Sequence, residues 1–243
     1  MTSDQTLSGR AQKRRPARTY KREQERISRH KLFKTTPIYT GYSIALIALA
    51  SRAGHPLSAV AYLFGGGIPL WMAIEYFSHR YILHAHFKVS KKWYKKHLSI
   101  LANKFLDPMH FGHHERPFDG HHISGRVRDM LPMLLVFGPL SIWLFPPYTA
   151  SLVVAGALQG YIFEEWIHHA THYYHFRDPY FRYMKKHHLY HHTTRGMTRG
   201  FGTSSGILDF IFQTRFPENV RQRLYGSKKS FTSEQTEQPI QQA

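Results

Sequence analysis

The chain has 243 residues, enough for one substantial core and a separate arm, and a formal net charge of +18 at pH 7. It contains no cysteine, which excludes disulfides, thiolate metal sites and iron–sulfur clusters. Its Lys and Arg residues are concentrated in the first 34 positions and in loops between apolar stretches, a distribution that favours a membrane surface over nucleic acid as the partner.

The chain begins with a strongly basic segment. Residues 1–34 contain the run QKRRPARTYKREQERISRHK and almost no apolar side chains, so we predict an arm that is disordered or loosely helical at a surface. A signal peptide is not expected, because its short basic start would lead directly into an apolar core. We therefore predict a membrane-embedded domain over residues 35–225 and a polar tail over residues 226–243, and we expect the arm to be dispensable for metal binding.

Four apolar segments follow the arm in two pairs. The first pair is residues 37–50 and 57–77, and the second pair is residues 130–145 and 149–169. Each segment can cross or nearly cross a bilayer as a helix, and the shorter first and third segments can instead form half-spanning hairpin arms. We therefore predict an all-α integral membrane protein with about four transmembrane or hairpin helices.

The distribution of Lys and Arg between the apolar segments predicts their orientation. The arm, the loop from Lys88 to Arg128 and the tail from Arg177 onward are rich in basic residues. By contrast, only Arg52 marks the first turn, and the FPPYT turn carries no charge. The positive-inside rule therefore places both termini on the cytoplasmic side, together with a His-rich helical cap.

Ten histidines fall into four short groups with related spacings, including two H-x-x-H-H groups and one H-x-x-x-H pair. They are His79, His84, His110, His113, His114, His168, His172, His188, His191 and His192. Residues three and four apart share a helix face, so we expect each H-x-x-H-H group to direct three imidazoles at one point. Any one histidine can be a packed or solvated residue, but clustered imidazolium charges repel one another unless a metal is shared. Because the ten exceed what one ion can use, we predict two metal ions.

Further polar residues flank these groups. Glu75, Asp107, Glu164 and Glu165 each precede a predicted ligand by three or four residues, where a carboxylate can accept the second ring N–H of that ligand. His121 and His122 are close enough to the second group to provide an extra ligand or to contact one. The remaining histidines are expected to lie outside the metal site: His30, His55, His86, His97, His169, His175 and His187.

Residues 75–214 resemble the fatty acid hydroxylase and sterol desaturase superfamily of membrane di-iron enzymes. HRYILH, HFGHH, HHATH and HHLYHH are similar to its His boxes. The segment GFGTSSGILD, which contains Asp209, is similar to the one that follows the last box in acyl-chain 2-hydroxylases. The resemblance implies hydroxylation of a fatty acid or fatty-acyl lipid by O₂ at two iron ions, with Asp209 beside the ligands. Zinc is expected to replace iron during purification.

The resemblance also has departures. The chain lacks the His-Pro-Gly-Gly motif of the cytochrome b5 domain that eukaryotic members often carry, so a separate electron donor of cytochrome b5 or ferredoxin type is expected. Glu164 and Glu165 stand where a Tyr-Asp pair is expected in the 2-hydroxylases.

Several functions share such His boxes. Carotenoid or sterol hydroxylases and desaturases are the first alternative to acyl hydroxylation. A metal-handling membrane protein is the alternative from another class, although a transporter would place its ligands near the bilayer midplane. A zinc hydrolase would normally use only three protein ligands for its catalytic ion.

Overall fold

The computed structural model describes residues 3–85, 89, 91–144 and 148–225, with the side chains of residues 3–16, 102, 105–109, 129, 130, 132, 133, 144, 224 and 225 left aside. The described part contains helices and no strands, which confirms the all-α prediction for it. The helices are α1 (Ser3–Arg52), α2 (Leu57–Ser78), a π-helical turn (His79–Leu83), α3 (Trp93–Glu115), α4 (Gly120–Ile123), α5 (Val127–Leu144), α6 (Thr149–Tyr173), α7 (Pro179–His191), α8 (Ile207–Ile211) and α9 (Glu218–Tyr225).

The first helix includes both the basic arm and the first apolar segment. It runs without a break for 50 residues, so the predicted boundary at residue 34 falls inside α1. Ser28, Leu32, Thr35 and Tyr39 are all buried and recur every three or four residues, which places them on one face. That face packs against α4 and α6. The second half of the arm is therefore part of the packed structure, because a narrow stripe of small and apolar side chains runs between its charges.

Helices α2 and α6 pack against each other closely because both carry glycine at their contact. A Cβ on Gly156 would overlap the carbonyl group of Phe64, and a Cβ on Gly160 would lie 2.7 Å from the Cβ of Trp71. Small residues at such positions let two helix backbones approach. The close approach brings the ends of α2 and α6 together, and the first and third histidine groups are at those ends.

The described residues of the four predicted apolar segments all lie in helices, namely α1, α2, α5 and α6. Among the described residues, one stretch is long and apolar enough to cross a membrane, Leu57–Leu83, with a hydropathy of 1.6. Only 11% of its apolar window is buried inside the protein, so most of this apolar surface does not contact other parts of the described protein. A shorter apolar stretch, Leu134–Trp143, lies in α5.

Buried apolar side chains join these helices at two levels. One cluster consists of Tyr39, Leu134, Leu158 and Tyr161 and links α1, α5 and α6. The other consists of Ala50, Val60 and Leu152 and lies beside the turns that connect the helix pairs. Helices α3, α4 and α7 contact the opposite ends of the bundle, where the histidines gather.

Candidate metal centre

The ten histidines predicted as ligands form two clusters of five. Within each cluster, one ring nitrogen from every histidine lies within 4.8 Å of those from the other four. Cluster A consists of His79, His84, His110, His114 and His191, and cluster B consists of His113, His168, His172, His188 and His192. No other histidine in the described ranges belongs to either cluster.

The two H-x-x-H-H groups are shared between the clusters, which corrects the expectation that each group directs three rings at one point. In α3, His110 and His114 face cluster A while His113 faces cluster B. In α7 the arrangement is reversed: His191 faces cluster A, and the flanking pair faces cluster B. Residues four apart share a face, but the residue between them is rotated by about 100° from one of them. Each group therefore links the two clusters.

A π-helical turn joins the first pair of histidines. His79 and His84 are five residues apart, a spacing that would place them on different sides of an α-helix. Residues His79–Leu83 form a π-helix, whose wider turn brings residues five apart onto one face. The two ring centroids are consequently 5.2 Å apart. The five-residue spacing of the two histidines does not by itself predict a π-helical turn.

The ring nitrogens in each cluster point at one another. In cluster A, the Nε2 atom of His84 lies 2.9 Å from Nε2 of His110 and 3.1 Å from Nε2 of His191. In cluster B, Nε2 of His172 lies 2.9 Å from Nε2 of His188 and 3.3 Å from Nε2 of His168. The clusters are adjacent, since the ring centroids of one histidine from each, His114 and His192, are 4.5 Å apart.

Backbone carbonyls set the orientation of three of the rings. Nδ1 of His79 donates to the carbonyl of Phe201 at 2.6 Å, and Nδ1 of His191 donates to the carbonyl of Arg199 at 2.7 Å. The His168 ring is hydrogen bonded to the backbone of Ile123. A carbonyl can only accept, so the proton of a neutral ring is on the nitrogen that faces it. The Nε2 lone pairs of these rings are thereby directed into the clusters.

The carboxylates predicted to orient the ligands have other partners. Glu75 accepts hydrogen bonds from the backbone N–H groups of Thr203 and Ser204 and from the Ser204 hydroxyl. Asp209 accepts from the N–H groups of Phe201 and Gly202, at 3.0 and 2.8 Å. These two buried carboxylates thus hold the loop whose carbonyls orient His79 and His191, and they act on the rings only through the backbone.

The other predicted acidic residues also differ from expectation. Glu164 accepts from the indole N–H of Trp71 at 2.7 Å, and Glu165 accepts from the N–H of Gly125 at 2.9 Å. These bonds connect α6 to α2 and to the segment before α5. The side chain of Asp107 lies outside the described residues.

The histidines beside the clusters have separate environments. His121 lies in α4 with an exposed side chain, and Nε2 of His122 lies 3.0 Å from Arg116; neither belongs to a cluster. Nδ1 of His169 lies 2.8 Å from the hydroxyl of Ser28. His187 is buried and stacks on Tyr183 with ring centroids 5.5 Å apart. His169 and His187 therefore lie outside the clusters, as expected.

Burial keeps the clustered imidazoles neutral. Desolvation lowers the pKa of His84 and of His114 to about 4 and that of His192 to about 2, with neighbouring histidines adding to the effect for the last two. Neutral imidazole is the form that binds metal. Several ring nitrogens, among them both of His114, have no hydrogen-bond partner in the described structure although they are buried. Such a set of unpaired lone pairs is costly alone and fits a cation.

A cavity of about 500 Å³ opens beside cluster A. It is lined by Arg80, Tyr81, His84, Phe111, Met197, Thr198 and Phe201. His84 is the cluster member that faces it, and aromatic side chains form much of the remaining wall. A cavity of this size with apolar walls and a few polar groups is typical of a small-molecule site.

Phe201 and Ile123 support the histidine rings, but neither was predicted as a site residue from the sequence. Phe201 packs against His79, His84 and His191 with centroid separations between 5.6 and 5.7 Å, and Ile123 bonds His168. The Gly-Phe-Gly pattern marks Phe201, but no local pattern marks Ile123, because a carbonyl is available at every residue.

Comparisons with known proteins identify a family. The model of the fatty acid hydroxylase family matches residues 64–214. The fatty acid 2-hydroxylase of Macaca fascicularis is 36% identical over 171 residues, which cover 67% of this chain and 42% of that protein. The fatty acid 2-hydroxylase of Homo sapiens is 33% identical over 191 residues, which cover 75% of this chain and 45% of that protein.

A solved structure has the same architecture. The structure of full-length scs7p, in which only the hydroxylase domain is visible, superposes with a TM-score of 0.64 at 25% identity. The match covers 76% of this chain and 67% of that one. The chain spans less than half the length of the two mammalian relatives it matches.

Proposed function

The chain belongs to the fatty acid hydroxylase family, and from that premise we propose that it is a membrane-bound di-iron monooxygenase that hydroxylates the acyl chain of a fatty acid or fatty-acyl lipid. The observation that carries the proposal is the pair of five-histidine clusters in direct contact. Five imidazoles leave one position of a six-coordinate ion free. Bound in adjacent clusters, two such ions would leave room for dioxygen beside them. The names of the mammalian relatives favour carbon 2 of the acyl chain.

The reaction inserts one oxygen atom of O₂ into a C–H bond and releases the other as water, with two electrons and two protons from outside. A bound iron pair supplies the redox chemistry that activates dioxygen. The protein contributes the geometry. Clusters A and B would hold one ion each, the carbonyls of Arg199 and Phe201 would keep two rings aimed at the first, and the Ile123 carbonyl would do the same for the second.

The cavity beside cluster A is the proposed site of the lipid. Tyr81, Phe111 and Phe201 would contact the acyl chain and exclude water, since their aromatic surfaces line the cavity. Arg80 lies in the same wall, with its guanidinium donating to the Tyr76 hydroxyl at 2.8 Å. Its charge would bind a polar or anionic group of the substrate, which places the reacting end of the chain near His84.

The proposed setting is a membrane with the metal centre at its cytoplasmic face. Leu57–Leu83 would cross the bilayer, and the apolar parts of α1, α5 and α6 would complete two hairpins. The distribution of Lys and Arg supports this orientation.

The electron donor is proposed to be a separate protein of the cytochrome b5 or ferredoxin type. Arg18, Arg22, Arg26 and Arg29 are exposed and follow one another every three or four residues along α1. Such a basic stripe suits an acidic donor. The apolar segment of α1 begins near Ile38. Along the helix axis, at 1.5 Å per residue, Arg26 and Arg18 lie roughly 18 and 30 Å from Ile38. Both distances exceed the Debye length of about 8 Å, over which charges attract one another in physiological salt. The stripe thus favours a partner in solution over lipid headgroups.

The proposed function is tested with purified protein in lipid nanodiscs. One sample is loaded with iron and another with zinc, and each receives reductant, a fatty-acyl lipid and isotopically labelled dioxygen. Purified protein is expected to contain some zinc, because zinc competes strongly for nitrogen ligands. We expect labelled hydroxylated lipid from the iron sample only, because zinc has no redox chemistry.

In the nanodisc assay, equal turnover with zinc, or product that lacks the label, would contradict an oxygenase and favour a hydrolase or a metal-handling protein.

Lipid profiling of a host with and without the chain identifies the substrate class. Hydroxylated carotenoid or sterol in place of hydroxylated acyl chains would show that the proposed substrate class is wrong and that the proposed oxygenase reaction is right.

A further inference from the structure

The amino-terminal half of α1 is hydrogen bonded to the short helix α4 at both of its ends. The side-chain oxygen of Gln24 accepts from the N–H of Gly120 at 3.0 Å. The ammonium group of Lys31 donates to the carbonyl of His121 at 2.7 Å and to that of Ser124 at 3.3 Å. Gly120 permits this approach, because a Cβ there would overlap the backbone of Gln24.

Ser28 lies at the centre of this contact and joins three elements. Its hydroxyl is fully buried, 2.7 Å from the hydroxyl of Ser124 and 2.8 Å from Nδ1 of His169. A serine hydroxyl has one proton and two lone pairs, so it can donate to one of these groups and accept from the other. Ser28 therefore connects α1 both to the end of α4 and to α6.

Both hydrogen-bond partners of Ser28, Ser124 and His169, are next in sequence to residues at the His168 ring of cluster B. Ser124 follows Ile123, whose backbone is hydrogen bonded to the His168 ring, and His169 follows His168 in α6. Because Nε2 of His168 faces His113 and His172, Ile123 bonds the remaining nitrogen, Nδ1. Cluster A has a different support, the carbonyls of Arg199 and Phe201. The backbone groups that orient the rings of the two clusters thus come from separate parts of the chain, although α3 and α7 contribute histidines to both.

We propose that the amino-terminal half of α1 positions cluster B, with Ser28 as the positioning residue that fixes Ile123 and His168. The inference rests on the proposed function only in treating cluster B as a metal site. It replaces, for residues 24–31, the expectation that the arm is dispensable for metal binding.

The test uses the full chain in nanodiscs, loaded with two equivalents of zinc, and follows release of each ion to a chelator. In Ser28→Ala we expect one of the two ions to leave about tenfold to a hundredfold faster, the usual effect of removing a group that orients a ligand. Gln24→Ala, a milder change in the same contact, should accelerate the same ion to a smaller extent. The matched control is Ser43→Ala, because Ser43 is also buried in α1 and donates to the carbonyl of Ala155 at 3.2 Å. This control should release both ions at the wild-type rate.

Double variants assign the accelerated ion to a cluster. Adding Ser28→Ala to His84→Ala, which disables cluster A, should accelerate release of the remaining ion. Adding Ser28→Ala to His192→Ala, which disables cluster B, should change nothing. A merely structural role for Ser28 would accelerate release in both backgrounds, and that result would overturn the proposal.

Failure of the two proposals can be distinguished. If the wild-type chain does not retain two ions, the metal pair itself is wrong. If it retains two and both Ser28→Ala and Gln24→Ala release them at wild-type rates, only the positioning role is wrong.

Discussion

The middle histidine of each H-x-x-H-H group belongs to the opposite cluster from its neighbours, which gives single substitutions a specific outcome. His113 is the one histidine that α3 contributes to cluster B. We expect His113→Ala to release one ion per chain and to reduce hydroxylation by on the order of 10²-fold or more, since even groups that only orient ligands contribute 10- to 100-fold to affinity. Metal content by mass spectrometry and product formation measure the two effects.

The control for this prediction is a histidine outside the clusters. His55 lies in the turn between α1 and α2, so His55→Ala should retain both ions and full activity. His191→Ala should also release one ion, in this case from cluster A. If His55→Ala removed metal as completely as His113→Ala does, the division into ligands and other histidines would be wrong.

Glu75 is expected to matter through the loop it holds. Glu75→Ala leaves the N–H groups of Thr203 and Ser204 without their acceptor in a buried place, which costs about 1–3 kcal/mol of unfolding free energy for each unsatisfied group. It also loosens the loop that orients His79. We therefore expect a lower thermal midpoint in detergent and loss of the ion in cluster A.

Two comparisons separate this effect from a general loss of charge. Glu75→Gln keeps an acceptor oxygen and should retain more metal than Glu75→Ala. Glu218→Ala removes an exposed carboxylate bonded to Arg221 and should leave the thermal midpoint near the wild-type value, because exposed ion pairs contribute little to stability. Unchanged stability and metal content in Glu75→Ala would contradict the role assigned to the loop.

At the scale of elements, the contact between α2 and α6 determines how the ends of these helices meet. Gly156→Ala would place a methyl group against the Phe64 carbonyl, so the helices must separate. Overpacking of this kind costs about 1–3 kcal/mol. We expect a lower thermal midpoint, together with weaker metal binding, because the first and third histidine groups lie at the ends of these two helices.

Gly65→Ala is the matched control for this prediction. Gly65 lies in α2, the helix that packs against Gly156 of α6, and a Cβ there would meet nothing within 4 Å. The substitution should leave stability unchanged or raise it by up to about 1 kcal/mol, the difference in helix propensity between alanine and glycine. Equal destabilisation by the two variants would exclude close helix packing as the cause.

The π-helical turn and α1 are the elements that the sequence predicted least well. A π-turn forms when tertiary contacts favour one extra residue in a helical turn, and here Phe201 holds the ring at one end of it. The packing of α1 depends on a stripe of four residues inside a run of charges. The amino-acid composition of the segment is dominated by its charged residues and hides such a stripe. Helix packing depends on which residue occupies each position of the buried face.

At the scale of the whole molecule, the basic stripe lies on α1, which contributes none of the residues that line the cavity beside cluster A, so we expect separate effects on donor and substrate. Charge reversal in Arg22→Glu/Arg26→Glu should raise the KM for an acidic donor about tenfold and weaken its dependence on salt, because electrostatic attraction accelerates encounter. Activity at saturating donor and metal content should not change. The soluble haem domain of a cytochrome b5 and a plant-type ferredoxin are suitable donors for the assay.

Lys95→Glu/Lys96→Glu in α3 is the matched charge reversal elsewhere on the surface, since both lysines are exposed. It should leave the KM for the donor near the wild-type value. If the two double variants raised that KM equally, net charge and not the stripe would govern the encounter.

The grouping of the histidines and the all-α class of the fold could both be predicted from the sequence. All ten predicted histidines lie in the two clusters, and the described residues of all four apolar segments are helical. Both follow from local properties: imidazole nitrogens at helical spacings suit a metal, and long apolar runs form helices. Only the tertiary structure decided which ring faces which cluster, because that depends on the orientation of α3 and α7 relative to each other. It also decided what holds the rings in place. The groups that orient them are carbonyls of Ile123, Arg199 and Phe201, and every residue has a carbonyl, so only the path of the folded chain distinguishes these three.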